Sequence, residues 1–285
     1  MLPYDPTRKS LLDPASTPTL LRPDTLATQH RDAIVIECAR LAYFRFEKDP
    51  VQRQAWLDAL ALLGAVDLKW YSVDSTQAFA FVLPAWNQAI VSFRGTEPDS
   101  LGDLATDIDA LPIEWIAQAG APTVSVHSGF AKALDDLIAH SDLVAWLDRN
   151  QRLDKVFTGH SLGAALATLA AARWGAKRLV TVGSPRVGDA GFASLVAAVE
   201  VRRYVNCCDV VTTLPPPLGR FVHVGDEIYI DSSGRVVSDD PGFDRTADRS
   251  SARIAYLKHE AWRTSTVLLR DLADHAPVNY LRTLF

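Results

Sequence analysis

Residues 156–167 read VFTGHSLGAALA, and this stretch decides the fold. Val156 and Phe157 form a short apolar run of the kind that builds a buried strand, ending at Gly159. Leu162, Ala165, Leu166 and Leu169 then recur at helical spacing with no loop in between. A strand that runs straight into a helix leaves Ser161 on a sharp turn, and Gly159-His160-Ser161-Leu162-Gly163 fits the G-x-S-x-G pattern. A serine displayed from such a turn sits at strained backbone angles, and only small neighbours let the chain pass so close to itself. The helix after Ser161 points its positive end toward any oxyanion that forms there. The bare pentapeptide also suits a surface turn without chemistry; the strand before it and the helix after it argue against that.

Working outward, the hydrophobic period alternates between that of strands and that of helices. Ile34, Cys38 and Leu41 mark a helix within about 29–46, and Asp49-Pro50 is a cap and first turn for a second, running to about Leu63. Leu68–Val73, Ala78–Leu83 and Ala89–Phe93 are short strand-like runs, the last two separated by the turn Pro84-Ala85-Trp86-Asn87. After Gly129, the residues Phe130, Leu134, Leu137 and Ile138 form a helical stripe. Leu179–Val182 and Val201–Asn206 read as strands around a helix over Phe192–Val199. Phe221–Ile230 reads as a strand or hairpin, and the last forty or so residues as helical. Alternation of this kind implies right-handed βαβ units and a mostly parallel sheet. Residues 1–28 hold Pro3, Pro6, Pro14, Pro18 and Pro23 and read as an extended arm, on the domain or free in solvent; residues 29–285 read as one domain.

Composition narrows the function classes. Of the 285 residues 48% are apolar and 22% charged, which excludes disorder. The net charge of −5 is spread along the chain without a basic stripe, so nucleic acid is not an expected partner. No apolar run reaches the ~18 residues of a membrane span. The three cysteines, Cys38, Cys207 and Cys208, include no CxxC pair and suggest neither a disulfide framework nor a zinc site. Residues 1–28 lack the apolar core of a signal peptide, so the default location is the cytoplasm, with signal-independent secretion as the other route.

A nucleophilic serine requires a base, and the base an orienting acid. In a strand–elbow–helix fold the order is serine, acid, histidine. Asp209, three residues beyond the Val201–Asn206 strand, suits the acid, and Asp189 after the Leu179–Val182 strand competes with it. The same order leaves His223, His259 and His275 for the base. His223 lies in a strand pattern and reads as a core side chain, and His259 lies in a charged helical stretch and reads as solvated. His275 lies two residues before Pro277, where a helix breaks, and is favoured.

From about Thr76 onward the sequence resembles the class 3 lipases, a branch of the α/β-hydrolases. The resemblance is carried in order by TQAFAF, IVSFRGTEP, VHSGF, GHSLGAALA, VGSPRVGD, VRRYVNCCDVVTTLPP, FVHVG and DHAPVNYL. It implies an α/β-hydrolase fold with a short helical lid, Ser161 as nucleophile, Asp209 as acid and His275 as base. It also implies an oxyanion hole from Thr96 and the N–H of Leu162, with Asp107 holding the Thr96 hydroxyl, and structural roles for His127 and His223. No cofactor or metal is implied. Pro277, between His275 and Tyr280, departs from the family's usual spacing, and the disulfides of secreted fungal members are missing.

The lid position of the family has its own pattern here. Leu101, Leu104, Ala105 and Ile108 make one apolar face of a short helix, with Asp99, Ser100 and Asp103 at its start. Such a stripe also suits plain core packing. Ile113, Trp115 and Ile116 are placed to extend an acyl-binding surface. The expectation is a serine carboxylic-ester hydrolase of the triacylglycerol lipase type acting on a lipid or ester, with a lipid–water interface as one setting. A phospholipase A1 or an aryl (feruloyl-type) esterase is the alternative. An inactive binding fold, or an exported lipolytic effector docking through its arm, belongs to a different class.

Overall fold

The computed structural model describes residues 2–95, 111–216, 221–237, 242–282 and 284–285. The strands are β1 (Val66–Val73), β2 (Thr76–Leu83), β3 (Gln88–Phe93), β4 (Pro112–Ile116), β5 (Thr123–His127), β6 (Asp154–His160), β7 (Arg178–Val182), β8 (Glu200–Asn206), β9 (Asp226–Ile230) and β10 (Val236–Val237). The central sheet has the order β1-β2-β3-β6-β7-β8-β9-β10. Pairing is parallel from β3 through β9 and antiparallel at both edges. The parallel centre follows from residues such as Val156, Phe157, Leu179 and Val180, which are buried on both faces of the sheet.

The helices are α1 (Arg8–Leu12), α2 (Thr25–Thr28), α3 (Arg31–Leu41), α4 (Pro50–Ala61), α5 (Ser128–Ala139), α6 (Leu143–Arg149), α7 (Leu162–Trp174), α8 (Ala190–Leu195), α9 (Arg245–His259), α10 (Arg270–Ala273) and α11 (Pro277–Leu281). One face of the sheet packs under α5, α6 and α7, where Phe130, Leu134, Trp146, Leu166 and Leu169 are buried with Phe93 and Phe157. The other packs under α3, α4 and α11, where Ile34, Ile36, Trp56 and Leu281 meet Phe79, Ile90 and Val180. Small residues along α7, including Gly163, Ala164, Ala165 and Ala167, are buried and let this helix lie close to the sheet. As the Asp49-Pro50 pair predicts, the Asp49 carboxylate accepts from the N–H groups of Val51 and Gln52 and Pro50 opens α4.

The arm lies on the domain. Buried Arg40 pairs with Glu37 at 2.6 Å and donates to the carbonyls of Pro14, Thr17 and Pro18. Glu37 in turn accepts from the Thr19 hydroxyl and the Leu20 N–H. This buried pair is tolerable because its hydrogen-bonding groups are filled by arm backbone.

The 112–127 region forms a hairpin, β4–β5, outside the central sheet. Trp115 is buried there, its ring 5.9 Å from that of Phe192 and under the guanidinium of Arg173. Trp115, expected to extend an acyl-binding surface, thus packs its large apolar ring against Phe192 instead of exposing it to solvent. Ile113 and Ile116 are exposed.

Candidate active site

Ser161 links β6 to α7 with φ 59° and ψ −127°, a left-handed conformation that L-residues seldom adopt. The flanking glycines permit it. A Cβ on Gly159 would lie 2.2 Å from the carbonyl oxygen of Gly163, and one on Gly163 would lie 2.2 Å from that of Phe93. The turn thus closes on itself and on the end of β3 with no space for a methyl group.

Ser161 Oγ lies 2.9 Å from His275 Nε2. His275 Nδ1 lies 2.9 Å from Asp209 Oδ2 and 3.0 Å from Oδ1. All three side chains are buried. Since a carboxylate only accepts, the proton of neutral His275 belongs on Nδ1, which leaves Nε2 to accept from the Ser161 hydroxyl. Asp209 is held from two further sides, by the Tyr280 hydroxyl on Oδ2 and the Val211 N–H at 2.9 Å on Oδ1. These three residues come from the ends of β6 and β8 and from the turn between α10 and α11. Pro277 takes the first position of α11, where its missing N–H costs nothing, and the helix returns Tyr280 to Asp209.

His160 forms a second layer that the sequence did not single out. It is buried, its Nε2 lies 2.7 Å from the backbone carbonyl of His275, and its Nδ1 lies 2.7 Å from the Tyr43 hydroxyl. A carbonyl cannot donate, so Nε2 carries the proton and Tyr43 donates to Nδ1. Burial, followed by the neighbouring His275, pushes the pKa of His160 well below its usual value. A neutral imidazole therefore fastens the backbone of His275 from beneath. Its only sequence cue is its place in the G-x-S-x-G motif.

The competing candidates have other tasks. Asp189 caps α8, accepting from Phe192 N–H at 2.8 Å, and also accepts from Ser125 N–H. His223 is held at Nε2 by the Thr212 carbonyl, and His259 is exposed on the last turn of α9. His127 caps α5 and stacks on Phe130, its ring centroid 3.8 Å away. Leu162 opens α7 beside Ser161, so its N–H is among those a helix leaves without an internal partner. Thr96, Leu101, Leu104, Asp107 and Ile108 lie outside the described residues. The thiols of Cys207 and Cys208 and a carboxylate oxygen of Asp274 lie within 4.8 Å of one another. That carboxylate already accepts from Arg270, Tyr4 and the Cys208 N–H, so a guanidinium stands where a cation would compete.

A mostly parallel sheet that presents serine on a strained strand-to-helix turn, with acid and histidine supplied after later strands, defines the α/β-hydrolase fold. Residues 90–219 match the family model described as "Lipase (class 3)". Over that stretch the chain is similar to the class 3 lipases. It is 33% identical over 155 residues to a lipase of Rhizomucor miehei, an alignment covering 49% of this chain and 41% of that protein. It is 30% identical over 187 residues to phospholipase A1-II 4 of Oryza sativa subsp. japonica, covering 54% and 46%. The chain thus spans less than half the length of these two relatives. Among solved structures, the native Rhizomucor miehei lipase propeptide complex aligns with a TM-score of 0.56 at 25% identity, covering 73% of this chain and 71% of that one.

Proposed function

We propose that this protein is a serine carboxylic-ester hydrolase of the triacylglycerol lipase type. The observation that carries the reading is the unbroken chain from Ser161 Oγ through the His275 imidazole to Asp209, with 2.9 Å at each junction. His275 takes the Ser161 proton as Oγ attacks the ester carbonyl, and Asp209 stabilises the imidazolium that results. The Leu162 N–H stabilises the oxyanion, a role shared with Thr96 under the family resemblance. His275 returns its proton to the leaving alcohol, and water then attacks the acyl-enzyme through the same base and releases the acid. Each step runs on side chains and backbone of this chain. The likeness to a relative named a lipase supports a lipid ester as the substrate.

A second reading, phospholipase A1, is favoured by the likeness to the rice protein of that name. Labelling with a fluorophosphonate probe and mapping the adduct tests the mechanism; the expected adduct is on Ser161. A panel of triacylglycerols of different chain length, a diacyl phospholipid and a feruloyl ester then assigns the substrate. Fastest turnover on phospholipid would replace the lipase reading with the second one, and an adduct elsewhere would overturn both.

A further inference from the structure

The residue before the base, Asp274, is fully buried, and its carboxylate is shared among three donors. Oδ2 accepts from the Cys208 N–H at 3.0 Å and from Arg270 Nε at 3.1 Å. Oδ1 accepts from the Tyr4 hydroxyl at 2.8 Å. Cys208 precedes Asp209, so Asp274 ties the turn that carries the acid to the turn that carries the base. The junction between His275 and Asp209 therefore has a second link running alongside it, and Tyr4 holds its outer end.

Tyr4 reaches this place because the arm is laid along the base-bearing segment. The Leu2 N–H donates to the Arg282 carbonyl at 2.8 Å, and the Val267 N–H to the Pro6 carbonyl at 2.9 Å. Asp5 and Asn279 bond reciprocally, Asp5 N–H to Asn279 Oδ1 at 2.9 Å and Asn279 Nδ2 to the Asp5 carbonyl at 2.8 Å. The Asn279 amide also holds the Ala273 carbonyl, so the clasp brackets His275 on both sides. Two guanidiniums lie over the Tyr4 ring, that of Arg270 at 5.2 Å and that of Arg282 at 5.0 Å from its centroid.

We propose that Tyr4 is a positioning residue for the ester-hydrolysis reaction, acting through Asp274 to hold His275 in register with Asp209. The proposal rests on the hydrolase reading above and assigns the arm a task in turnover rather than in delivery. The physical reason is that Oδ1 of Asp274 sits where water does not replace a lost donor. Without Tyr4 the carboxylate turns or takes up a proton, which burial already favours, and its hold on the Cys208 N–H slackens. An error of a fraction of an ångström between base and nucleophile is enough to slow proton transfer.

The test is Tyr4→Phe in the full chain, because phenylalanine keeps the ring beside the two arginines and removes only the hydroxyl. Active sites are counted by fluorophosphonate titration, and kcat and KM are measured on a soluble p-nitrophenyl ester. The expected result is a kcat per titrated site on the order of tenfold lower with KM within about twofold of wild type. Asp274→Asn, which keeps an acceptor for Cys208 and Arg270 but puts an amide donor where the Tyr4 hydroxyl donates, is expected to fall at least as far. If both variants keep wild-type kcat per titrated site, or lose rate only in proportion to lost titratable sites, the positioning role is overturned and the arm is scaffold alone. An adduct away from Ser161 in the wild-type chain would instead overturn the hydrolase reading itself.

Discussion

Tyr280 donates its hydroxyl to Oδ2 of Asp209, the same oxygen that lies 2.9 Å from His275 Nδ1. Its pKa is pushed well above the usual value, first by burial and then by the Asp209 charge, so it stays a donor throughout the working pH range. Removing the hydroxyl frees the carboxylate to turn about its own axis. Tyr280→Phe is expected to lower kcat on the order of tenfold, the worth of one hydrogen bond to a charged group. Steady-state kinetics on a soluble ester checks it, and an unchanged kcat would show that Val211 N–H and His275 suffice to orient the acid.

Gly183 and Gly175 separate strain from obstruction. Both have φ 65° or close to it, at 58° and 65°, but a Cβ on Gly175 meets nothing within 4 Å. On Gly183 it would lie 2.9 Å from Asp209 Oδ2 and 3.1 Å from His275 Cε1. Both alanine variants should therefore lose about 1 kcal/mol of stability through left-handed backbone. Only Gly183→Ala should lose activity, by about a hundredfold or more, since it displaces acid and base together. Thermal unfolding and ester turnover on the same pair of preparations distinguish the two effects.

Asp209 and Asp189 should divide cleanly between chemistry and folding. Asp209→Asn is expected to cut turnover roughly 10⁴-fold with little change in melting temperature, because the amide presents the wrong partner to His275 Nδ1. Asp189→Ala removes the cap of α8 and should cost about 1 kcal/mol of stability while leaving kcat near wild type. A reversed pattern would move the acid role away from Asp209.

Two histidines, His160 buried and His223 half-buried, make the fold sensitive to acid. Burial lowers the pKa of His223 to about 3, helped by Arg203 and Arg186, and holds that of His160 well below the usual 6.5. In the unfolded chain both take up protons below about 6.5, whereas in the folded chain both stay neutral. The unfolded state then binds more protons, so stability is complete above pH 6.5 and falls as the pH drops toward 3. By pH 5 the loss is about 2 kcal/mol for His223, and His160 adds to it in the same direction. Denaturant unfolding at pH 7 and pH 5 measures it, and His223→Asn should show the shallower fall.

The elbow was legible because its signal is local: the strand period, the glycines at 159 and 163 and the apolar helix follow one another without interruption. The acid was legible through its place after β8, while the choice between Asp209 and Asp189 needed the family resemblance. Tyr43 and Tyr4 carry no such signal, since each reaches the site from its own segment, and the place of His160 in the elbow does not show what its ring holds. Tyr4 and Asp274 are 270 residues apart in the chain. The hairpin at 112–127 escaped notice because Ile113, Trp115 and Ile116 offer no clean alternation, and an apolar cluster after a lid pattern reads as surface.

Sequence alone determined that a serine stands between a strand and a helix, in a chain of alternating elements with an acid and histidines downstream, because periodicity and steric allowance act over a few residues. Which histidine meets the serine, what locks its backbone and what holds the acid were decided by tertiary structure. Those partners are joined by hydrogen bonds about 3 Å long between segments far apart in the chain, and such contacts arise only once the sheet has ordered its strands and the two termini have been brought together.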